Sequence, residues 1–248
     1  HCTNIEIHLN KYELLEKRFV DNFVAMVAEL KTNKPVQYVL GETEFLGVDI
    51  QLNNETLIPR PETEELVMWV AGSGLRAGAK VLDVGTGSGC IIITLGKMIQ
   101  GLELHGADIS AEAIRQAREN ARINGVEVHF YERDILRHET WDWPDFDVIV
   151  SNPPYVRISE KALMHERVLG YEPHRALFVA DEDPLVFYRV IAEFGRSHLK
   201  SGGLLFFEIN EAFGKEMLDL LSGMGYREVE LRKDIHDRDR MIKAKWTK

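Results

Sequence analysis

An α/β fold built on a doubly wound, mostly parallel sheet of seven strands is predicted by two features of the sequence. From Lys80 onward, short apolar runs alternate with longer stretches of helical periodicity, the rhythm of strand and helix units in a parallel sheet. Two of the apolar runs also end in sharp polar turns. Val81–Val84 runs into Gly85-Thr86-Gly87-Ser88-Gly89, and Phe146–Val150 into Ser151-Asn152-Pro153-Pro154-Tyr155. Open α/β sheets bind their ligands at such strand ends, so these two turns form the candidate site.

In chain order, Lys11–Lys31 reads as a helix, because Leu14, Leu15, Val20, Phe23, Val24, Val27 and Leu30 recur at three- and four-residue spacing. Val36–Leu40 and Glu44–Leu52 read as two short strands separated by Gly41, and Thr56–Ile58 as a third. A helix opens at Pro61, which suits the first helical position, with Glu62, Glu64 and Glu65 at the positive end of its dipole. The alternation then predicts strand Val81–Val84, helix Cys90–Ile99, strand Leu102–Ala107, and a helix from the Ser110 cap to Ile123 with Asn124-Gly125 as its stop. Strands Val126–Tyr131 and Phe146–Val150 follow, then helix Pro184–Leu199, strand Gly203–Ile209, helix Phe213–Met224, strand Arg227–Leu231 and a last strand within Asp239–Trp246.

Composition narrows the function classes. With 30 Lys and Arg against 40 Asp and Glu, the formal charge is −10, which argues against a protein whose main task is to hold a long nucleic acid. Cys2 and Cys90 are the only cysteines, too few for a disulfide framework or a zinc cluster, and a reducing cytoplasm is expected. None of the nine histidines has metal-ligand spacing. No apolar run approaches the ~20 residues that cross a bilayer, and the polar start lacks the pattern of a signal peptide. The chain does not begin with Met, so further residues upstream are expected.

The turn after Val150 suits one kind of chemistry. Asn152 offers a side-chain carbonyl, and Pro153 a main-chain carbonyl whose direction is held because both prolines fix φ. Two fixed acceptors can grip both hydrogens of a planar NH₂ group, turning its delocalised lone pair toward an electrophile, and Tyr155 would lie against the flat face of that group. An amide and an adenine amino group both fit, and a proline-stiffened turn without chemistry is the plain alternative.

The glycines at 85, 87 and 89 let a ligand approach the backbone at a helix N-terminus. Cys90 stands where a dinucleotide fingerprint has its last glycine, and no Lys follows as in a phosphate-gripping loop. Asp108, 19 residues past Gly89, is placed to accept from ribose hydroxyls, with Asp83 and Asp134 adding acidity at the same edge. A cationic, phosphate-free adenosyl cofactor fits this set better than NAD does, which points to S-adenosylmethionine. Arg60, between two prolines, is a candidate to face a ligand.

Val81-Leu82-Asp83-Val84-Gly85-Thr86-Gly87-Ser88-Gly89 resembles motif I of the class I S-adenosylmethionine-dependent methyltransferases, and Asn152-Pro153-Pro154-Tyr155 resembles the NPPY motif of their amino-methylating branch. Outside that core, Pro35–Leu40, Gly41-Glu42 with Glu44-Phe45 and Gly47, and Leu57–Glu64 resemble the HemK/PrmC family, as do Glu172-Pro173, Ala176-Leu177, Asp183, Tyr188-Arg189, Gly202-Gly203 and Glu208-Ile209. The resemblance implies a Rossmann-like class I methyltransferase domain over 59–248, a β-hairpin linker over 35–58 and a small N-terminal helical module over 1–34. It implies methylation of the glutamine in the Gly-Gly-Gln tip of peptide-chain release factors.

By the same likeness Gly85, Thr86, Gly87, Ser88, Gly89, Asp108 and Asn152 hold S-adenosyl-L-methionine, with Asp134 and Ile135 beside its adenine. Asn152, Pro153, Pro154 and Tyr155 hold the glutamine amide, and Arg60, Pro61 and Glu62 lie on the ligand side. A monomer is expected, with no stable nucleic acid and no membrane; the alternative is an amino methyltransferase of DNA or ribosomal RNA. The sequence departs from the family at Asn210, where a glycine is usual, at Ala180-Asp181, where two glycines are usual, and in an N-terminal helical module that is short and expected to be incomplete.

Overall fold

In the computed structural model the protein is described at His8, Tyr12 and residues 14–248. Helix α1 spans Lys17–Leu30 and α2 spans Val36–Leu40; strands β1 (Glu42–Phe45) and β2 (Val48–Gln51) follow, then α3 (Pro61–Ala71). The alternating part comprises β3 (Lys80–Val84), α4 (Cys90–Met98), β4 (Glu103–Asp108), α5 (Ala111–Asn124), β5 (His129–Glu132) and β6 (Phe146–Ser151). A short pair, β7 (Val156–Arg157) and β8 (Phe178–Val179), brackets α6 (Glu166–Tyr171) and α7 (His174–Leu177). Then come α8 (Val186–His198), β9 (Leu199–Glu208), α9 (Gly214–Gly223), β10 (Arg227–Lys233) and β11 (Asp239–Lys245).

Seven strands form the central sheet in the order β10-β11-β9-β6-β3-β4-β5. The five from β9 to β5 are parallel, and the β9–β11–β10 end is antiparallel. The chain winds outward from β3 through β4 to β5, then returns to lay β6 on the other side of β3, so the direction of winding reverses between β3 and β6. That reversal opens a crevice at the carboxyl ends of these two strands.

Both faces of the sheet are buried, which is why its central strands read as continuous apolar runs. Val81, Val148, Val150 and Phe206 pack on one face with α3, α4, α5 and the β1–β2 hairpin, while Leu82, Val84, Ile149, Leu205 and Phe207 pack on the other with α8 and α9. The predicted caps are present: Ser110 Oγ accepts from Ala113 N at 3.3 Å, and Gly125 ends α5 with φ of 63°.

Three predicted strands before residue 60 are corrected. Val36–Leu40 is helix α2, started by Pro35 and closed by Gly41 with φ of 78°, whose N–H reaches Gln37 O. Glu44–Leu52 is the tip and second arm of a hairpin, because Leu46 and Gly47 both take positive φ and turn the chain. Thr56–Ile58 joins no ladder: the Thr56 N–H donates to Asn53 O at 3.3 Å, Tyr38 Oη donates to Thr56 O at 2.7 Å and the Ile58 N–H donates to Glu172 at 3.3 Å, so a local turn and two side chains take the place of strand pairing. Helix α1 begins at Lys17, after the exposed Leu14 and Leu15; the expected start at Lys11 lies outside the described residues.

Gly89 joins β3 to α4 at a position with no room for a side chain. It has φ of 82°, and an added Cβ would lie 2.8 Å from Ile93 Cδ1 and 3.2 Å from Ala117 Cβ. Gly89→Ala is expected to lower unfolding stability by about 1–3 kcal/mol, measured by urea denaturation.

Candidate active site

Strands β3 and β6 run side by side with Val84 opposite Ser151, and the buried Ser151 hydroxyl donates to Val84 O at 2.6 Å. The glycine turn and the Asn152 turn therefore leave the sheet as neighbours. Between them lies a cavity of about 340 Å³, and Gly85, Thr86, Gly87, Ser88, Asp108, Asp134, Ile135, Asn152, Pro153 and Pro154 all line it. The structure thus brings together most of the residues singled out in the sequence. Gly89 sits behind the wall as the first residue of α4's cap, and Tyr155 lines a second cavity.

The glycine turn is held by its own backbone. Gly85 N and Thr86 N both donate to Ala107 O, at 2.8 and 3.0 Å. Gly85 and Gly87 have φ of 74° and 53°, and a Cβ on either would meet nothing within 4 Å, so at both positions bare backbone faces open space. Below the turn Asp83 Oδ2 accepts from the Thr86 hydroxyl at 2.6 Å, while Asp83 Oδ1 is buried without a partner. Burial pushes the Asp83 carboxyl up to about 7, against the pull of the Thr86 hydrogen bond.

Asp108 ties the glycine turn to the next helix: its Oδ2 accepts from Gly87 N and its Oδ1 from Ser110 N, each at 2.9 Å. Burial raises its pKa and these N–H groups oppose the rise. Each oxygen keeps a lone pair free of these bonds. Asp134 accepts from Leu136 N at 3.0 Å and so fixes the turn that carries Ile135 into the wall.

The expected acidic edge is corrected in one respect. Glu55, Asp108 and Asp134 share the cavity wall with Arg60, Arg133 and Arg175, so the field is mixed. Each guanidinium is engaged: Arg60 with Glu172, Arg175 with Glu55, and Arg133 over the rings of Tyr131, Trp141 and Trp143 at 5.0–5.5 Å. Sequence reasoning missed Ile109 and Leu136, exposed apolar residues of the wall. Their signal was position, each standing one or two places after a strand-end Asp.

The Asn152 turn is anchored from beneath. Asn152 Nδ2 donates to Thr63 Oγ1 at 3.1 Å, and that hydroxyl donates to the buried Glu208 Oε2 at 2.6 Å. Tyr155 Oη donates to the other carboxylate oxygen, Glu208 Oε1, at 3.0 Å. Burial raises the Glu208 pKa, and the two hydroxyls and Arg240 work against it. Among the described residues none donates to Asn152 Oδ1 or to Pro153 O, which leaves two unspent carbonyl acceptors on the turn. Asn210, the residue that departs from the family, donates through Nδ2 to Tyr155 O at 3.0 Å and holds the far end of the turn. Asp181 accepts from the Ser159 N–H at 3.1 Å.

A second cavity of about 140 Å³ lies across the turn. It shares Leu57, Arg60, Asn152, Pro153 and Ala176 with the first and adds Tyr155, Val156, Met164, Val168 and Leu177. Its far wall comes from residues 156–177, a stretch the strand and helix alternation did not resolve. Pro61 and Glu62 belong to neither cavity, because α3 starts at Pro61 and turns them away; Pro59, Arg60 and Thr63 are the members of that segment in the wall.

Arg60, just before α3, is tied to this far wall through Glu172, at 2.6 Å, with the Glu172 side chain 1% exposed and that of Arg60 31% exposed. Arg60→Ala strands a buried carboxylate. It should destabilise the fold by about 2–3 kcal/mol, below the about 3–5 kcal/mol of a fully buried pair because Arg60 is partly solvated, as read from thermal and urea unfolding.

Residues 67–170 match the methyltransferase small domain family. The chain is 45% identical over 243 residues to a release factor glutamine methyltransferase of Flavobacterium psychrophilum, covering 96% of this chain and 83% of that protein. It is 42% identical over 243 residues to a protein of the same name from Bacteroides thetaiotaomicron, covering 97% and 86%. Among solved structures, a methyltransferase from Pyrococcus furiosus superposes with a TM-score of 0.60 at 18% identity, covering 82% of this chain and 90% of that one.

Proposed function

The chain belongs to the release factor glutamine methyltransferases, and from that premise we propose how its own residues carry the reaction. It is an S-adenosyl-L-methionine-dependent enzyme that methylates the side-chain amide nitrogen of a glutamine in peptide-chain release factors, the one in their Gly-Gly-Gln tip. The observation that carries the reading is the pair of unspent acceptors, Asn152 Oδ1 and Pro153 O, on a turn shared by two cavities.

The larger cavity fits the cofactor. Gly85 and Gly87 present bare backbone where a Cβ would otherwise stand, and Asp108 keeps lone pairs for the hydroxyls of a ribose. Ile109, Ile135 and Leu136 offer apolar surface for a flat base. When bound, S-adenosyl-L-methionine supplies an electrophilic sulfonium methyl.

The chain's part is to make a poor nucleophile competent. An amide nitrogen shares its lone pair with its carbonyl, and that delocalisation keeps the NH₂ group flat. Asn152 Oδ1 and Pro153 O would accept its two hydrogens, hold the nitrogen at the shared wall and offset the positive charge that develops on it during attack. The smaller cavity, walled by Tyr155, Val156, Met164, Val168 and Leu177, would receive the rest of the side chain and shed water around it. No catalytic base or metal is required by this arrangement, and one chain supplies every residue named, so a monomer suffices. The formal charge of −10 favours a protein partner over a nucleic acid. Among the described residues no helix is long and apolar enough to cross a membrane.

Asn152→Ala removes one of the two acceptors. It should lower kcat about 100-fold or more for a purified release factor, with cofactor affinity reduced far less, as followed by labelled methyl transfer and calorimetry. Asp108→Ala should do the converse, weakening cofactor binding at least about tenfold. Methylation of DNA or ribosomal RNA in preference to the release factor would remove the reading.

A further inference from the structure

We infer that Glu208 and Thr63 form a positioning relay that decides which end of the Asn152 amide faces the substrate. The inference rests on the amide-methylation reading and adds two residues to it.

An asparagine side chain is nearly symmetrical in shape and opposite in chemistry at its two ends. With oxygen facing the cavity it accepts from a substrate NH₂; turned over, it presents a second NH₂ and repels that group. Something must therefore set the flip, and the network beneath the turn does so. Glu208 ends β9 with its side chain buried. Its two carboxylate oxygens accept, one from the Thr63 hydroxyl at 2.6 Å and the other from Tyr155 Oη at 3.0 Å.

A hydroxyl has one hydrogen. Thr63 has given it to Glu208, so only oxygen lone pairs remain on the side that meets Asn152. Those lone pairs take an N–H, which is the observed 3.1 Å bond from Asn152 Nδ2. The flipped amide would set two oxygens against each other at that distance. The carboxylate thus fixes the hydroxyl, the hydroxyl fixes the amide, and Oδ1 is left for the substrate. Neither Thr63 nor Glu208 needs to touch the reacting atoms. The elements involved, α3, β9 and the turn after β6, are far apart in sequence and meet only in the fold.

The test uses the full chain, S-adenosyl-L-methionine and a purified release factor. Thr63→Val keeps the shape and removes both the lone pairs and the hydrogen bond to the buried Glu208, so the unfolding midpoint should fall; assayed where the fold is intact, it should lower kcat about 10- to 100-fold while cofactor Kd changes little. Thr63→Ser keeps the hydroxyl and should recover most of that turnover. In Glu208→Gln the side chain has an NH₂ to place; directed at Thr63, it makes the hydroxyl accept and point its own hydrogen at Asn152, so turnover should fall with cofactor binding retained. Wild-type kcat in Thr63→Val, or a Thr63→Ser enzyme as slow as Thr63→Val, overturns the relay. So does loss of cofactor binding in both Thr63→Val and Glu208→Gln, which would give these residues a purely structural role. A wild-type chain that leaves the release factor unmethylated fails the functional reading itself, a result visible before any variant is made.

Discussion

The parallel pairing of β3 with β6 is the constraint on which the site depends. Val84 and Ser151 are opposite one another in a ladder buried on both faces, so a shift of register would move every side chain of one strand to the wrong face. The glycine turn and the Asn152 turn begin at the residues immediately after this pair. Their separation is therefore set by the hydrogen bonds of the sheet rather than by the flexibility of loops. The Ser151 hydroxyl adds a further bond, to Val84 O, at the point where the two turns diverge.

What the sequence made legible follows from how local each signal was. The central strands β3, β6 and β9 announce themselves because double-sided burial gives them apolar runs such as Val148–Val150 and Leu204–Phe207, even though polar Asp83 and Asp147 lie within two of them, and α5 because Ser110 and Gly125 mark both ends. The reading failed where structure is decided by distant partners. Val36–Leu40 has β-branched residues at both its valines, yet Pro35 and Gly41 bracket a single helical turn that buries Tyr38. Thr56–Ile58 has the composition of a strand, but in place of strand pairing its backbone meets Asn53 O, Tyr38 and Glu172, the last 114 residues away. The segment from Val156 to Val179 is built from short turns whose order comes from contacts such as Arg60–Glu172 and Ser159–Asp181.

The site divides in the same way. Motif residues at strand ends were legible because turn chemistry is local, and most of them line one cavity, with Gly89 behind its wall and Tyr155 on the neighbouring cavity. The anchoring beneath them was not: Thr63 and Glu208 lay in segments that resemble the family, but nothing in the sequence showed that the two side chains meet. Only the crossing of α3 over β9 brings them together under Asn152. Two of the departures from the family take part in comparable local bonding, Asn210 at Tyr155 O and Asp181 at Ser159, so both positions carry hydrogen bonds that a glycine side chain cannot make.

The paired carbonyls on the turn also bear on where the reaction stops. An amide that has accepted a methyl retains a single N–H, so one oxygen of the pair loses its donor, and an unmatched buried acceptor costs about 1–3 kcal/mol. In the role proposed for Asn152 and Pro153, the secondary amide would then be both a weaker ligand and a misaligned nucleophile. The same proposed geometry would ease product inhibition and discourage dimethylation without a separate checkpoint.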